Sequence, residues 1–184
     1  MSATLWILLG GVAVVLLYVI FAFNRLVALN QRVKNGWSEI DVQLRRRYDL
    51  IPNLIETVKG YAKHEKQVFE RVTLARSQAI NASGVGDQAS AENAISSGLK
   101  SLFAVAEAYP ELKANQNFLA LQEELSATES KIAYARQFYN DQVMLLNTRI
   151  QSFPSNLIAK TFRFREREFF NIEDAQRGPA QVDF

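Results

Sequence analysis

The stretch FLALQEELSATESKIAYARQFYNDQVMLLNTRIQSF, residues 118–153, decides how this chain folds. Phe118, Leu125, Ile132, Tyr139, Leu146 and Phe153 stand seven residues apart through it. A helix turns once in about 3.6 residues, so a strict seven-residue repeat keeps one seam against a neighbour only where helices wrap around each other. Val143 and Ile150 add a second apolar stripe, which predicts a second partner helix at the far end. Pro154 then stops the helix.

The same reading extends toward the N-terminus. A shorter helix is expected from Ser90 to Ala108, burying Ile95, Leu99, Leu102, Phe103 and Ala106, with Tyr109-Pro110-Glu111 as its end. Ser83-Gly84-Val85-Gly86-Asp87 reads as a loop. Before it, Leu54, Tyr61, Val68 and Ala75 form one seam of a helix running to Asn81, with Ile55, Ala62 and Phe69 beside them. Further back, Leu26, Val33 and Ile40 alternate with Trp37, Leu44 and Ile51, each set at seven-residue spacing. Pro52 disfavours the α conformation at Ile51, which puts a break or kink there. β alternation appears only at Phe162-Arg163-Phe164-Arg165, too short to found a sheet. The fold class expected is all-α: an elongated antiparallel, coiled-coil-like four-helix bundle.

The first twenty-four residues carry no charged side chain. The run from Leu5 to Phe23 is long enough, at about 1.5 Å per residue, to cross a hydrocarbon layer of roughly 30 Å. Leu5, Trp6, Leu9, Val12, Leu16, Tyr18, Phe21 and Phe23 are its expected membrane-spanning side chains. A cleaved signal would open with cations and end in small residues, whereas this run has no Lys or Arg before it and ends in Phe21-Ala22-Phe23. Arg25, Arg32 and Lys34 follow it, so the N-terminus is expected outside an inner membrane and the remainder in the cytoplasm. A periplasmic remainder is the alternative. Residues 1–23 are thus read as an anchor, 24–160 as one helical domain, and 161–184 as a tail that packs on the bundle or is partly disordered.

Composition narrows the chemistry. There is no Cys, which removes disulfides, thiolate metal sites, a Cys nucleophile and lipoprotein acylation. The lone His64 sits in the charged stretch Lys63-His64-Glu65-Lys66, expected on a solvated helix face. A di-metal carboxylate bundle needs a second His and a Glu three residues before each; position 61 is Tyr. Gly84 and Gly86 lack the Lys and strand of a phosphate-cradling loop. No catalytic, cofactor-binding or metal-binding residue is expected, nor a small-molecule substrate. Net charge is +2, but Asn24–Lys66 holds nine cations against five acids, a gradient that suits anionic lipid near the anchor or a solvated helix surface.

Two further segments stand out. Arg45, Arg46 and Arg47 are candidate lipid or partner contacts, or else arms bonding Asp49, Glu56 and carbonyls at the kink. The segment from Phe162 to Phe170 interleaves aromatics with both signs of charge; it folds back between helices or lies at a membrane surface. Glu166 and Glu168 dilute any phosphate-binding field, so nucleic acid is not an expected partner.

Several motifs carry a resemblance. Trp37-Ser38-Glu39, Arg46 to Ile55 (RRYDLIPNLI) and Val58 to Glu65 (VKGYAKHE) come first. Ala106 to Lys113 (AEAYPELK), Leu121 to Leu125 (LQEEL), Thr128-Glu129, Ala135-Arg136, Tyr139-Asn140, Phe153 to Ala159 (FPSNLIA) and Phe169-Phe170 follow in order. The chain resembles the LemA family over nearly everything after the anchor. The resemblance implies one N-terminal transmembrane helix, an outside-to-inside topology and a long antiparallel helical bundle. It implies no agreed activity and no catalytic residues. Some members carry a lipoprotein Cys that this chain lacks, and one relative is associated with forming magnetosome membranes. The expected role is a non-enzymatic, membrane-anchored scaffold or adaptor, with lipid, copies of itself or a membrane protein as partners. The alternative is an accessory subunit of a membrane enzyme such as a protease. The seam carrying the fold is Trp37, Leu44, Phe118, Leu125, Ile132, Tyr139, Leu146 and Phe153.

Overall fold

A computed structural model describes residues 3–171. Those residues form six helices and no strand: α1 (Ala3–Lys59), α2 (Lys66–Asn81), α3 (Val85–Glu107), α4 (Pro110–Lys113), α5 (Gln116–Gln151) and α6 (Ser155–Thr161). The protein is all-α. Residues 172–184 of the expected tail lie outside the described residues.

Helix α1 does not break at Ile51. It runs through Pro52 to Lys59, and the chain turns instead over residues 60–65. Proline removes one helical donor, and the acceptor it leaves, the carbonyl of Tyr48, receives Nε of Arg76 at 2.7 Å. The turn after Lys59 is held by Ala62 N–H to Val58 O at 2.9 Å and Glu65 N–H to Ala62 O at 3.3 Å. His64 lies in this turn, exposed, rather than on a helix, and Tyr61 faces solvent instead of a seam.

The expected Ser83–Asp87 loop is shorter than its composition suggested, because α3 already begins at Val85. Gly84 sits before it at φ +92°, a backbone state that side chains rarely adopt, while a Cβ there would meet nothing within 4 Å. The need is conformational, not spatial. Asn115 opens α5: its Oδ1 accepts the N–H of Phe118 at 3.0 Å, as an N-cap does. At the other end α5 stops at Gln151 and the Phe153–Pro154 bond is cis. Phe153 therefore lies beyond the helix and is 79% exposed, so it is not part of a buried seam.

The chain divides into two compact units, Met1–Asp41 with Ala133–Phe169 and Val42–Ile132 with Phe170–Phe184. In the first, Leu26, Leu29, Val33 and Ile40 of α1 are buried, as are Tyr139, Val143 and Leu146 of α5 and Ile158 and Ala159 of α6. A Cβ added at Gly36 would stand 3.2 Å from Tyr139 Cα, so glycine here lets two helices approach closely. Trp37, half-buried, packs its ring 5.6 Å from that of Tyr139. The extended chain after α6 is tied to the same unit. Tyr139 donates its hydroxyl to Glu168 O at 2.9 Å, and Asn147 both donates to Arg167 O and accepts Arg167 N–H, each at 2.9 Å.

In the second unit, Leu44, Ile51, Leu54 and Val58 of α1 are buried, together with Phe69 and Val72 of α2, Ile95, Leu99 and Leu102 of α3, and Phe118, Leu125 and Ile132 of α5. Burying one such side chain stabilises by about 1.5–3 kcal/mol. Gly98 of α3 lies against Val72 of α2, where a Cβ would come within 3.2 Å of Val72 Cγ2.

One part of α1 is not covered. Trp6, Leu9, Val12, Leu16 and Phe21 are each more than half exposed, in a helix long and apolar enough to cross a membrane. Tyr18 is half-buried and Leu5 lies within the helix. Phe23 departs from the expected lipid-facing set: its ring stands 4.7 Å from Phe162 and 5.9 Å from Phe164.

Candidate functional site: a buried carboxylate and guanidinium beside a cleft

Ala89, Glu92, Ile95, Leu99, Leu102 and Ala106 share the buried face of α3, so helical spacing carries a carboxylate into the core of the second unit. Glu92 is fully buried. Its Oε1 accepts the Tyr48 hydroxyl in a very short hydrogen bond and the Gln88 amide at 3.0 Å. Gln88 also donates to Tyr48 Oη at 2.8 Å. Arg47 approaches Oε2 of Glu92 at 3.4 Å and Glu129 of α5 at 3.0 Å, and its Nη2 donates to Ser96 Oγ at 2.8 Å. Arg47 is itself deeply buried, with only 2% of its surface exposed. Three helices, α1, α3 and α5, thus meet at one guanidinium.

Electrostatics follow from burial. Desolvation raises the Glu92 carboxyl above its ordinary 4.5, against the pull of the Tyr48 bond, the Arg47 charge and Gln88. Desolvation and the Glu92 carboxylate push the Tyr48 phenol far above its ordinary 10.0, so it remains a neutral donor. In the first unit, burial likewise raises Tyr139.

The cluster reaches solvent at one side. A cleft of about 410 Å³ is lined by Arg47, Ser96, Lys100, Gln122 and Glu129, with Leu99, Phe103 and Leu125 as its apolar part. The Glu129 side chain is 55% exposed. Glu92 is sealed from any solute, whereas Glu129 and Lys100 are presented to one. Among the described residues no group of three or more His, Asp or Glu side chains could hold a metal ion.

The three arginines part company. Arg47 is interior, 2% exposed, and meets solvent only as part of the cleft lining. Arg46 is about half exposed and pairs with Glu124 of α5 at 2.8 Å. Arg45 is exposed on the same helix. Neither Asp49 nor Glu56 receives Arg46 or Arg47; the acids that do are on α3 and α5. Of the seam residues, Leu44, Phe118, Leu125, Ile132, Tyr139 and Leu146 are buried. Sequence reasoning missed Glu92, Gln88 and Tyr48. The signal for Glu92 was available: it stands three and seven residues before Ile95 and Leu99, in phase with the apolar stripe.

The model of the LemA family matches residues 36–184, a span that contains the whole cluster and begins after the apolar helix segment. The chain belongs to the LemA family. Curated relatives are distant in sequence. It is 24% identical to Protein LemA of Metamycoplasma hominis, over 84% of this chain and 71% of that one. It is 22% identical to Magnetosome protein MamQ 2 of Paramagnetospirillum magneticum and 21% identical to Magnetosome protein MamQ of Magnetospirillum gryphiswaldense, in both cases over 85% of this chain and 67% of the relative. None of these names describes an enzyme. Within this LemA-family chain, the Arg47–Glu92–Tyr48 cluster joins residues of the RRYDLIPNLI motif to α3 and α5.

Proposed function

We propose that this LemA-family protein is a single-pass, membrane-anchored helical scaffold that self-associates or recruits partner proteins at the bacterial inner membrane and transforms no substrate itself. The observation that carries the reading is the continuity of α1. One helix from Ala3 to Lys59 holds an apolar, uncovered segment and then the buried positions Leu26 to Val58 of the helical units. An uncovered apolar helix in water is an aggregation hazard, and a bilayer removes it. Sealing of Glu92 also favours a structural ionic cluster over a working one, since a general acid or base must reach its substrate. The relatives named as magnetosome proteins are consistent with a role in membrane organisation.

The soluble part is assigned to the cytoplasm, on the strength of Arg25, Arg32 and Lys34 after the span. The recruiting surface is the cleft with Lys100 and Glu129 at its mouth and Leu99 and Phe103 within it. The test is cross-linking in native membranes followed by mass spectrometry, comparing the natural chain with a Lys100→Glu, Glu129→Lys double variant. Self-complexes or a defined protein neighbour, weakened in the variant, are expected. A stoichiometric foreign enzyme would make the chain an accessory subunit. An uncross-linked monomer, or turnover of a small compound by the purified chain alone, would end the scaffold reading.

A further inference from the structure

We propose that the segment Phe153–Arg165 is a second membrane contact, seated in the head-group layer of an anionic bilayer beside the emerging end of the α1 span. The inference rests on the membrane reading above and adds a site to it.

Three large apolar side chains in this short segment are turned outward. Phe153 is 79% exposed, Leu157 59% and Phe162 51%. The opposite side of α6 is already engaged: Ser155, Ile158 and Ala159 are buried, so the segment cannot roll over to hide its outer face. Its thirteen residues hold three cations, Lys160, Arg163 and Arg165, and no acid. All three are exposed. Outward apolar groups with cations among them are the composition of a helix lying in a bilayer interface, where the rings enter the acyl boundary and the cations meet phosphate.

Position supplies the second argument. Phe162 caps α6 and its ring lies 4.7 Å from that of Phe23, the last residue of the apolar run. Phe164 reaches the same ring at 5.9 Å. Helix α6 is seven residues, about 10 Å at the helical rise, so Leu157 and Phe153 lie within two or three helical turns of the Phe23 contact. Two residues before Phe23, Phe21 is 63% exposed on the uncovered part of α1. A bilayer crossed by α1 therefore ends beside this segment. A protein partner would have to compete there with lipid already in place.

Absence of Cys permits a clean test. Single cysteines at Phe153→Cys and Leu157→Cys, with Val14→Cys in the span and Gln137→Cys on the exposed face of α5, are nitroxide-labelled in the full chain. The chain is reconstituted in phosphatidylcholine–phosphatidylglycerol vesicles, and spin relaxation by oxygen is compared with that by a water-soluble nickel chelate. The expected result is an oxygen-to-nickel ratio at positions 153 and 157 several-fold above that at 137, falling when phosphatidylglycerol is omitted. Ratios equal to that at 137, with lipid-like values at 14, overturn the inference and leave the anchor standing. Exclusion of both reagents at 153 and 157 means a protein cover and also overturns it. A ratio indifferent to phosphatidylglycerol removes the anionic head group from the proposal and so refutes it as stated. Water-like values at 14 bring down the membrane reading itself.

Discussion

Arg76 donates from Nε to the carbonyl oxygen of Tyr48 at 2.7 Å, and that oxygen is the one Pro52 leaves without a helical donor. A residue on α2 thus completes a hydrogen bond that α1 cannot make for itself, and α1 passes through its proline to Lys59. The same side chain ties α2 to α1 at Tyr48, itself a member of the Arg47 cluster. A sequence feature that argues for a break is compatible with an unbroken helix because a distant arginine substitutes for the missing N–H.

Replacement of Arg76 should expose this dependence. Arg76→Met keeps most of the stem and removes the donor, at an expected cost of about 1–3 kcal/mol for an unsatisfied carbonyl. Pro52→Ala restores a backbone N–H at position 52 that can take the same carbonyl, so in that background the cost of Arg76→Met should shrink. Denaturant unfolding of the full chain in detergent micelles, run as a double-mutant cycle, reads the difference. Additive effects would mean that the two residues are not linked through Tyr48.

Glu92 makes stability pH-dependent in a direction opposite to that of a salt-bridged surface acid. Its carboxyl is raised above 4.5 by burial, so the folded state holds the proton more tightly than the unfolded chain. The stabilisation this provides is complete below about 4.5 and is lost as pH rises through the folded value. Glu92→Gln cannot ionise. The stability of the natural chain relative to this variant should therefore decline as pH is raised from about 4.5 toward neutrality, measured as the difference between their melting temperatures. A constant difference across that range would show Glu92 to titrate normally.

The arginine run separates by burial rather than by charge. Arg47→Met leaves the fully buried Glu92 with one fewer donor and strips the cluster of its cation, an expected loss of about 3–5 kcal/mol. Arg46→Glu places two acids together where Arg46 meets Glu124, both nearly half exposed, and should cost about 1 kcal/mol or less. Circular dichroism melts of the two variants should differ widely. Similar losses from both would remove the distinction between an interior and a surface arginine.

Much of this architecture was legible because helical repeats record which faces are covered. The positions Leu26, Val33, Ile40 and Phe118, Leu125, Ile132, Tyr139, Leu146 state their burial in their spacing. The ends of helices were less legible. Pro52 misplaced a break because its compensation, Arg76, is 24 residues away and carries no local mark. Phe153 completed a heptad on paper, but Pro154 ends the helix before it and leaves it outward. The ionic cluster was half legible. Glu92 stands in phase with an apolar stripe, yet its partners Arg47 and Tyr48 lie on α1, far away in sequence, and only folding brings them together.

Gly36 provides a test of how closely α1 and α5 must approach in the first unit. A Cβ there would stand 3.2 Å from Tyr139 Cα, 3.3 Å from Phe138 Cδ1 and 3.4 Å from Tyr139 Cβ. Two effects oppose each other in Gly36→Ala. Alanine favours the helix by about 1 kcal/mol over glycine, while contact with backbone that cannot rotate away costs a comparable amount. The net change should be small. Gly36→Leu keeps the gain in propensity but drives three more carbons into the Tyr139 backbone, so it should destabilise by about 1–3 kcal/mol. It should also loosen the chain beyond α6, because Tyr139 would be displaced from its 2.9 Å bond to Glu168 O. Limited proteolysis after Arg165 or Arg167, compared between the alanine and leucine variants, reads that second effect. Equal protection and equal melting temperatures in both would show that the helices have room to separate, and that the glycine is not what holds Tyr139 in place.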